Sequence, residues 1–359
     1  MANVYIKFYG CQSNLDDGMI AKGILERDNY KFTDQIENSD ICVIGTCVVK
    51  PTTANKIINK LKDIYSRKKL VIAGCMSESE TKFCKKQFPN ASLVNTYNIT
   101  NISKAVEDLL NNKVTYYLGK RKEVKLKLPK LINKDVVTIQ IASGCTSSCL
   151  YCEAKLAKGY IQSYPEKLIM YEIKHYLGRG IKKFNLSSTN NSDYGIDIGT
   201  NLPSLLKKII SIRGGFNMRI GMMNPAEVIN FLDDLIEVYK NNKIQKFLHI
   251  PVQSGSDKVL REMNRNYKVS DFINIAEKFR KNIPGITIST DIIVGYPSES
   301  EEDFKETIDL IKKIKPEVLN ISKFGARPGT QAAKLKPLKS EIVKERSVIL
   351  TRIFKEITN

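Results

Sequence analysis

No apolar run in this 359-residue sequence approaches the ~18 residues needed to cross a bilayer, so no spanning helix is expected. The opening Met-Ala-Asn-Val-Tyr-Ile-Lys-Phe-Tyr-Gly lacks both the basic stretch and the long apolar core of a signal peptide. A cytoplasmic protein with no membrane partner is therefore expected. Histidine is scarce, with only His175 and His249, and neither lies near the clustered cysteines in sequence. Acidic residues are short as well: 38 Asp and Glu face 57 Lys and Arg, a formal net charge of +19. That excess repels itself on a compact body, and a polyanion such as RNA, DNA or an acidic membrane would relieve it. Heavy use of Lys, Ile and Asn explains the same number without a partner. Hydrophobic content of 42% against 26% charged argues against wholesale disorder, and the length favours two domains.

Eight cysteines are present: Cys11, Cys42, Cys47, Cys75, Cys84, Cys145, Cys149 and Cys152. In a reducing compartment a chain of this length has little need of disulfides, and clustered thiols bind metal or do chemistry.

The periodicity predicts α/β structure throughout. Residues 1–111 read as a first domain, with strands over 4–9, 41–44 and 70–73 and helices over 16–27 and 57–65. Apolar strands alternating with helices imply a parallel sheet covered on both faces. Residues 112–135 read as a basic linker or hairpin. From 136 to 335 strands are expected at 136–142, 183–187, 217–220, 247–251, 287–294 and 318–323. Helices are expected between them, at 166–177, 202–210, 225–239, 271–280 and 301–314. Six βα units point to a partial barrel with its chemistry at the C-terminal strand ends. An open, doubly wound sheet fits the same pattern, because closure is not readable from sequence. Residues 336–359 end the chain in an amphipathic helix.

Cys145, Cys149 and Cys152 follow directly on the strand Thr138-Ile139-Gln140-Ile141. Three thiolates in one short loop can wrap a [4Fe–4S] cube and leave one iron open. S-adenosylmethionine (SAM) can chelate that corner through its amino and carboxylate groups, and reductive homolysis then gives a 5′-deoxyadenosyl radical. Structural zinc, by contrast, wants four ligands.

Cys11, Cys47 and Cys75 each fall just past a predicted strand of the first domain, where a parallel sheet gathers its ligands. Gly10, Gly45 and Gly74 beside them let backbone approach a bulky inorganic core. A second cluster with one open iron is the expectation, with Cys42 and Cys84 as core residues. Two open-cornered clusters suggest a division of labour: one makes a radical at an unreactive carbon, and the other presents sulfur to it. The proposal requires them to face one another across a shared cavity.

Cys-x3-Cys-x-Tyr-Cys, with Tyr151, resembles the motif of the radical SAM superfamily, and the chain from about 4 to 350 closely resembles the methylthiotransferases. Tyr9-Gly10-Cys11 with Asn14 and Asp17, Thr46-Cys47-Val48-Val49-Lys50-Pro51-Thr52 and Ala73-Gly74-Cys75-Met76 resemble their ligand loops. His249-Ile250-Pro251-Val252-Gln253-Ser254-Gly255-Ser256, Thr290-Asp291-Ile292-Ile293-Val294-Gly295-Tyr296-Pro297 and Arg327-Pro328-Gly329-Thr330 resemble the barrel motifs. Lys155 with Gly159, Ser163-Tyr164-Pro165, the stretch from Tyr194 to Pro203 and that from Met218 to Pro225 resemble the archaeal and eukaryotic threonylcarbamoyladenosine branch. That branch implies two [4Fe–4S] clusters, SAM and a cellular electron donor. It also implies tRNA reading ANN codons, with 2-methylthio-N6-threonylcarbamoyladenosine formed at position 37. Relatives elsewhere in the family act on isopentenyl-type adenosine or on a ribosomal protein. A noncatalytic iron–sulfur module that binds tRNA is the alternative from another class.

From the resemblance, Tyr151, Ser188, Gln253 and Ser254 are expected at the cofactor, and Asn14, Arg219 and Arg327 at the substrate. Guanidinium suits the carboxylate of methionine or of the threonylcarbamoyl group, although each Arg could serve a structural ion pair. Ser254 could equally form a turn, and His249 is expected to bond within its strand. Lys120-Arg121-Lys122 reads as a solvated basic hairpin, or as an RNA contact.

Three departures stand out. Family members commonly continue into a small C-terminal β-barrel, the TRAM domain, which is not expected within these residues; a shortened protein, a truncated chain or a separate RNA-binding partner would each account for that. Ser188-Thr189-Asn190-Asn191 replaces the branch's Ser-Glu-Asp-Thr with neutral residues. Lys158 stands in place of Arg, keeping the charge and losing the fork.

Overall fold

The computed structural model describes residues 1–47, 51–120, 123–132 and 135–358, with backbone alone for 51–55. The motif residues Val48, Val49 and Lys50, and Arg121 and Lys122 of the basic stretch, lie outside the described residues. Two compact units emerge: residues 1–140 with 153–159, and residues 141–152 with 160–359. Among the described residues no helix is long and apolar enough to cross a membrane.

The first unit is a six-stranded, wholly parallel sheet. Its strands are β1 (Asn3–Phe8), β2 (Lys31–Phe32), β3 (Ile41–Thr46), β4 (Lys69–Gly74), β5 (Ser92–Asn95) and β6 (Tyr116–Tyr117), in the order β2-β1-β3-β4-β5-β6. Val4, Ile6, Val43 and Val71 face one side. There they meet Ile20, Ile24 and Leu25 of α1 (Gln12–Arg27) and Ile102, Ala105 and Leu109 of α4 (Ile102–Leu110). Cys42, Ile44, Leu70 and Ile72 face the other, against Ile57, Leu61 and Ile64 of α2 (Pro51–Tyr65) and Cys84 of α3 (Glu78–Gln87). Burial on both faces explains why these strands read as continuous apolar runs. Cys42 and Cys84 are core thiols, as the pattern predicts.

Residues 112–135, expected as a basic linker or hairpin, differ. Tyr116–Tyr117 extends the first sheet as β6, parallel to β5. Lys125 and Lys130 are buried against Asp17 and Asp16 of α1, at 2.6 and 3.2 Å. Gly23 makes room for this packing, since a Cβ there would lie 2.5 Å from the Pro129 backbone. The unit closes with β7 (Val136–Gln140) and, beyond Cys152, α5 (Glu153–Lys158).

The second unit carries βα repeats. β8 (Ala142–Ser143) and β9 (Gln162–Ser163) pair antiparallel. β10 (Lys183–Ser187) and β11 (Asn217–Ile220) pair in parallel, and Ile141 N–H bonds Ser187 O at 3.0 Å. β12 (Phe247–His249), β13 (Thr287–Val294) and β14 (Val318–Lys323) form a parallel trio, and a Met218–Ile244 bridge leads from β11 towards β12. Helices alternate with these strands: α6 (Glu166–Gly178), α7 (Leu202–Ile210), α8 (Pro225–Val228), α9 (Leu232–Lys240), α10 (Asp257–Glu262), α11 (Val269–Asn282) and α12 (Glu301–Ile314). The single helix expected over 225–239 is two, because Phe231 leaves helical geometry at φ −139 and α9 starts afresh with Asp233 and Asp234 in its first turn. α13 (Ser340–Thr358) is held on this unit by the buried pair Arg346–Glu299 at 2.7 Å.

Candidate functional site

Cys145, Cys149 and Cys152 occupy the loop after β8, each half-buried, and among the described residues no disulfide joins any cysteine. Side chains from several strand-end segments shape this loop. Asp193, beyond β10, accepts the Thr146 N–H on Oδ2 at 2.7 Å. Asn224, beyond β11, donates Nδ2 to Ser147 Oγ at 3.1 Å. Beyond α10, Asn264 donates to Ser148 O at 2.9 Å and Arg265 Nη1 donates to Cys149 Sγ at 3.4 Å. Leu150 N–H bonds Met263 O at 3.1 Å, and Tyr151 packs among Val259, Met263 and Tyr296. The loop is thus fixed by protein contacts, which is what preorganised ligation requires.

Asp193 is itself held from behind. Asn190 Nδ2 donates to Asp193 Oδ1 at 2.6 Å and to Glu227 Oε2 at 3.3 Å. Burial, and then the Asp193 charge, push the Glu227 carboxyl up to about 7. Burial and Asp193 also push the Cys145 thiol up. A thiolate at that position needs a cationic partner, which iron supplies.

Ser188 Oγ, Thr189 Oγ1, Asn191 Oδ1 and Asn224 Oδ1, at the ends of β10 and β11, are buried and have no hydrogen-bond partner. Each such orphan costs roughly 1–3 kcal/mol unless a ligand meets it. Ammonium and hydroxyl donors, such as SAM carries, would satisfy these oxygens, and three thiols in one fixed loop suit a cubane. Gln253 closes its strand end at φ +72, with its N–H on Asp291 O. Ser254 is fully buried and accepts the Ser256 N–H at 3.2 Å, so its hydroxyl serves the turn. Arg219 stacks on the Phe247 ring, 3.9 Å from its centre. Arg327 is buried and its carbonyl accepts from Thr330 Oγ1 at 2.7 Å, closing the Arg-Pro-Gly-Thr turn. His249 Nε2 lies 3.2 Å from both Asp291 oxygens, and Asn320 donates to Asp291 Oδ1 at 2.6 Å, so the imidazole bonds across its sheet.

In the first unit the loops bearing Cys11, Cys47 and Cys75 are drawn together. Asn14 is fully buried; its Nδ2 donates to Tyr9 O at 2.5 Å and Thr46 O at 2.7 Å. Its Oδ1 would lie 2.8 Å from a Cβ on Gly74, so all three loops touch this one amide. Thr46 Oγ1 reaches Ala73 O and Cys75 O at 3.1 and 3.0 Å. Asn14, expected at the substrate, ties the loops through its Nδ2, while its Oδ1 is buried with no hydrogen-bond partner. Burial pushes the Cys75 thiol up to about 12; Lys158 opposes this, while Cys11 and Cys47 are near enough to add to it. Among the described residues no three His, Cys, Asp or Glu stand close enough to hold one metal ion. A cubane takes its thiolates on separate irons and so accepts a wider triangle.

Behind Cys75 lies a buried charge network. Lys125 Nζ meets both Asp17 oxygens at 2.6 Å, Thr96 Oγ1 donates to Asp17 at 2.6 Å, and Gln140 Nε2 donates to Asp16 and Asp17 at 2.8 and 3.0 Å. Tyr97 OH donates to the Lys158 carbonyl, and Gly159 follows at φ +65. Asp193, Asn190, Glu227 and the role of Arg265 are what the sequence reading missed. The loop judged neutral at 188–191 carries its acid two residues later, at Asp193, and a second comes from the segment after β11.

Residues 139–311 match the Radical SAM superfamily, and residues 3–96 match a group described as uncharacterized protein family UPF0004. A protein of Pyrococcus horikoshii named "Probable threonylcarbamoyladenosine tRNA methylthiotransferase" is 40% identical, over 100% of this chain and 85% of that one. One of the same name from Methanothermobacter thermautotrophicus is 38% identical, over 99% and 84%. The human "Threonylcarbamoyladenosine tRNA methylthiotransferase" is 34% identical, over 98% of this chain and 62% of its own. In fold, the chain is similar to the radical SAM methyltransferase TsrM of Kitasatospora setae, with a TM-score of 0.66 at 11% identity, covering 92% of this chain and 77% of that one.

Proposed function

We propose, for a chain that belongs to the threonylcarbamoyladenosine tRNA methylthiotransferase family of radical SAM enzymes, that it converts N6-threonylcarbamoyladenosine-37 of tRNA to its 2-methylthio derivative. Radical SAM enzymes use SAM and a [4Fe–4S] cluster, and Cys145, Cys149 and Cys152 are the residues that would hold it. The observation that carries the sulfur-inserting reading is the second set, Cys11, Cys47 and Cys75, whose loops Asn14 and Thr46 tie together. When bound, the two clusters and SAM supply hydrogen abstraction from carbon 2 of the adenine and a methylated sulfur to replace it.

The chain's own residues provide the setting. Asp193, Asn224, Asn264 and Arg265 hold the first ligand loop in shape. The unpartnered oxygens of Ser188, Thr189, Asn191 and Asn224 would receive the ammonium and hydroxyl donors of SAM. Tyr151 anchors the loop beside its last ligand, and Gln253 fixes a strand end. Arg219 and Arg327 supply cations for the carboxylate that a threonylcarbamoyl group carries. The net charge of +19 favours encounter with tRNA, whose phosphates would position the substrate without choosing it. A cellular electron donor completes the reaction, and an RNA-binding partner would strengthen the tRNA contact.

The test is anaerobic incubation of reconstituted protein with SAM, reductant and tRNA that lacks the 2-methylthio group. Nucleoside mass spectrometry should show conversion of threonylcarbamoyladenosine, with 5′-deoxyadenosine released. Methylthiolation of isopentenyl-type tRNA or of a ribosomal protein, with threonylcarbamoyladenosine unchanged, would reassign the substrate. Absence of 5′-deoxyadenosine would make the chain a binding module.

A further inference from the structure

The loop of Cys145, Cys149 and Cys152 lies between two charges of opposite sign, each on a different ligand. Arg265 reaches the Cys149 sulfur at 3.4 Å, and its guanidinium is aimed by Tyr267 OH on Nε at 3.0 Å and Pro251 O on Nη2 at 3.1 Å. Asp193 accepts the Thr146 N–H at 2.7 Å, one residue past Cys145, and is locked by Asn190 at 2.6 Å. Both contacts are partly withdrawn from water, where a charge acts more strongly than at the surface. Shape alone would not need charge at either place: an amide could accept the Thr146 N–H, and a neutral donor could meet Cys149.

We propose that Arg265 and Asp193 are positioning residues that also set, in opposite directions, the reduction potential of the cluster held by this loop. The proposal rests on Cys145, Cys149 and Cys152 holding the superfamily's cluster, and is independent of the second set. Reduction adds negative charge to the cluster. An N–H⋯S bond from a cation on Cys149 stabilises the reduced form and raises the potential, whereas a carboxylate beside Cys145 lowers it. The balance matters because SAM is cleaved only by a cluster reduced enough to deliver an electron, yet still within reach of the donor that refills it. Glu227 stands behind Asn190, at one remove from the ligands.

Full-length protein is reconstituted anaerobically, and the EPR signal missing from a Cys145→Ala variant is followed through a potentiometric titration. Arg265→Gln should move the midpoint negative, Asp193→Asn should move it positive, and the double variant should return towards wild type. Asn at 193 keeps an acceptor for Thr146, so a role in shape alone predicts no movement there. If Arg265→Gln fails to retain the signal, Tyr267→Phe, which releases the guanidinium without removing it, should give a smaller negative shift. Midpoints unmoved in Asp193→Asn and Tyr267→Phe, or moved in the same direction in both, would overturn the proposal.

Discussion

The backbone of Gly10 lies directly against the Cys47 thiol: a Cβ on Gly10 would overlap Cys47 Sγ, and Gly10 adopts φ +108. Glycine is required twice over, by a backbone angle that side chains avoid and by the space the sulfur occupies. Gly10→Ala should therefore displace the Cys11 or Cys47 loop. Iron analysis should show loss of about half the metal while 5′-deoxyadenosine formation persists.

Asn14 joins the same three loops through a single amide. Asn14→Ala leaves two carbonyls without their donor and a gap at a fully buried position, so a loss of about 2–4 kcal/mol is expected in urea unfolding. Asn14→Asp, similar in volume but facing carbonyls with an acceptor, should be at least as damaging. If the aspartate variant proved as stable as wild type, the amide would not be the tie.

Lys125 and Asp17 form a buried ion pair, 4% and 1% exposed. Lys125→Met strands the carboxylate and should cost roughly 3–5 kcal/mol, whereas replacing both partners by apolar residues should recover much of it. Burial pushes the Asp17 carboxyl up, but Lys125 and then Lys158 outweigh it and hold it below its ordinary range. The pair's contribution is therefore complete above the unfolded carboxylate's pKa and fades as pH falls through the lower folded value, below about 4. Unfolding midpoints measured against pH should show that acid loss, and Lys125→Met should blunt it.

Glu227 behaves with the opposite sign. Its carboxyl, pushed to about 7 from an ordinary 4.5, is favoured neutral in the fold. Stability should be greatest below the unfolded value and should decline as pH rises from about 4.5 to 7, by on the order of 3 kcal/mol. Glu227→Gln should flatten this decline in thermal melts, since an amide stays neutral.

Much of this molecule is legible in the order of its residues. Parallel strands buried on both faces read as Ile-Cys-Val-Ile and Leu-Val-Ile-Ala, and the thiols that follow fall at sheet ends by simple counting. The Cys145 loop declares itself by spacing. Lys125 and Lys130 could not be read in this way. A lysine is buried only where a carboxylate waits for it, and Asp16 and Asp17 are more than a hundred residues away in sequence. Composition therefore suggested a basic linker or hairpin.

The charges around the ligand loop were hidden for the same reason. Asp193 follows a stretch of Ser, Thr and Asn that gives no periodic signal, and its value comes from the Thr146 N–H that the fold brings to it. Ser254 is a case the sequence leaves open: a hydroxyl at a strand end suits a ligand contact or a turn, and here it accepts the Ser256 N–H.

Whether one polypeptide carries two iron–sulfur centres is best tested by iron and sulfide content after anaerobic reconstitution. Wild type should hold about eight irons, and Cys145→Ala and Cys47→Ala should each retain about four. A wild-type value near four, unchanged by Cys47→Ala, would contradict a second centre at Cys11, Cys47 and Cys75.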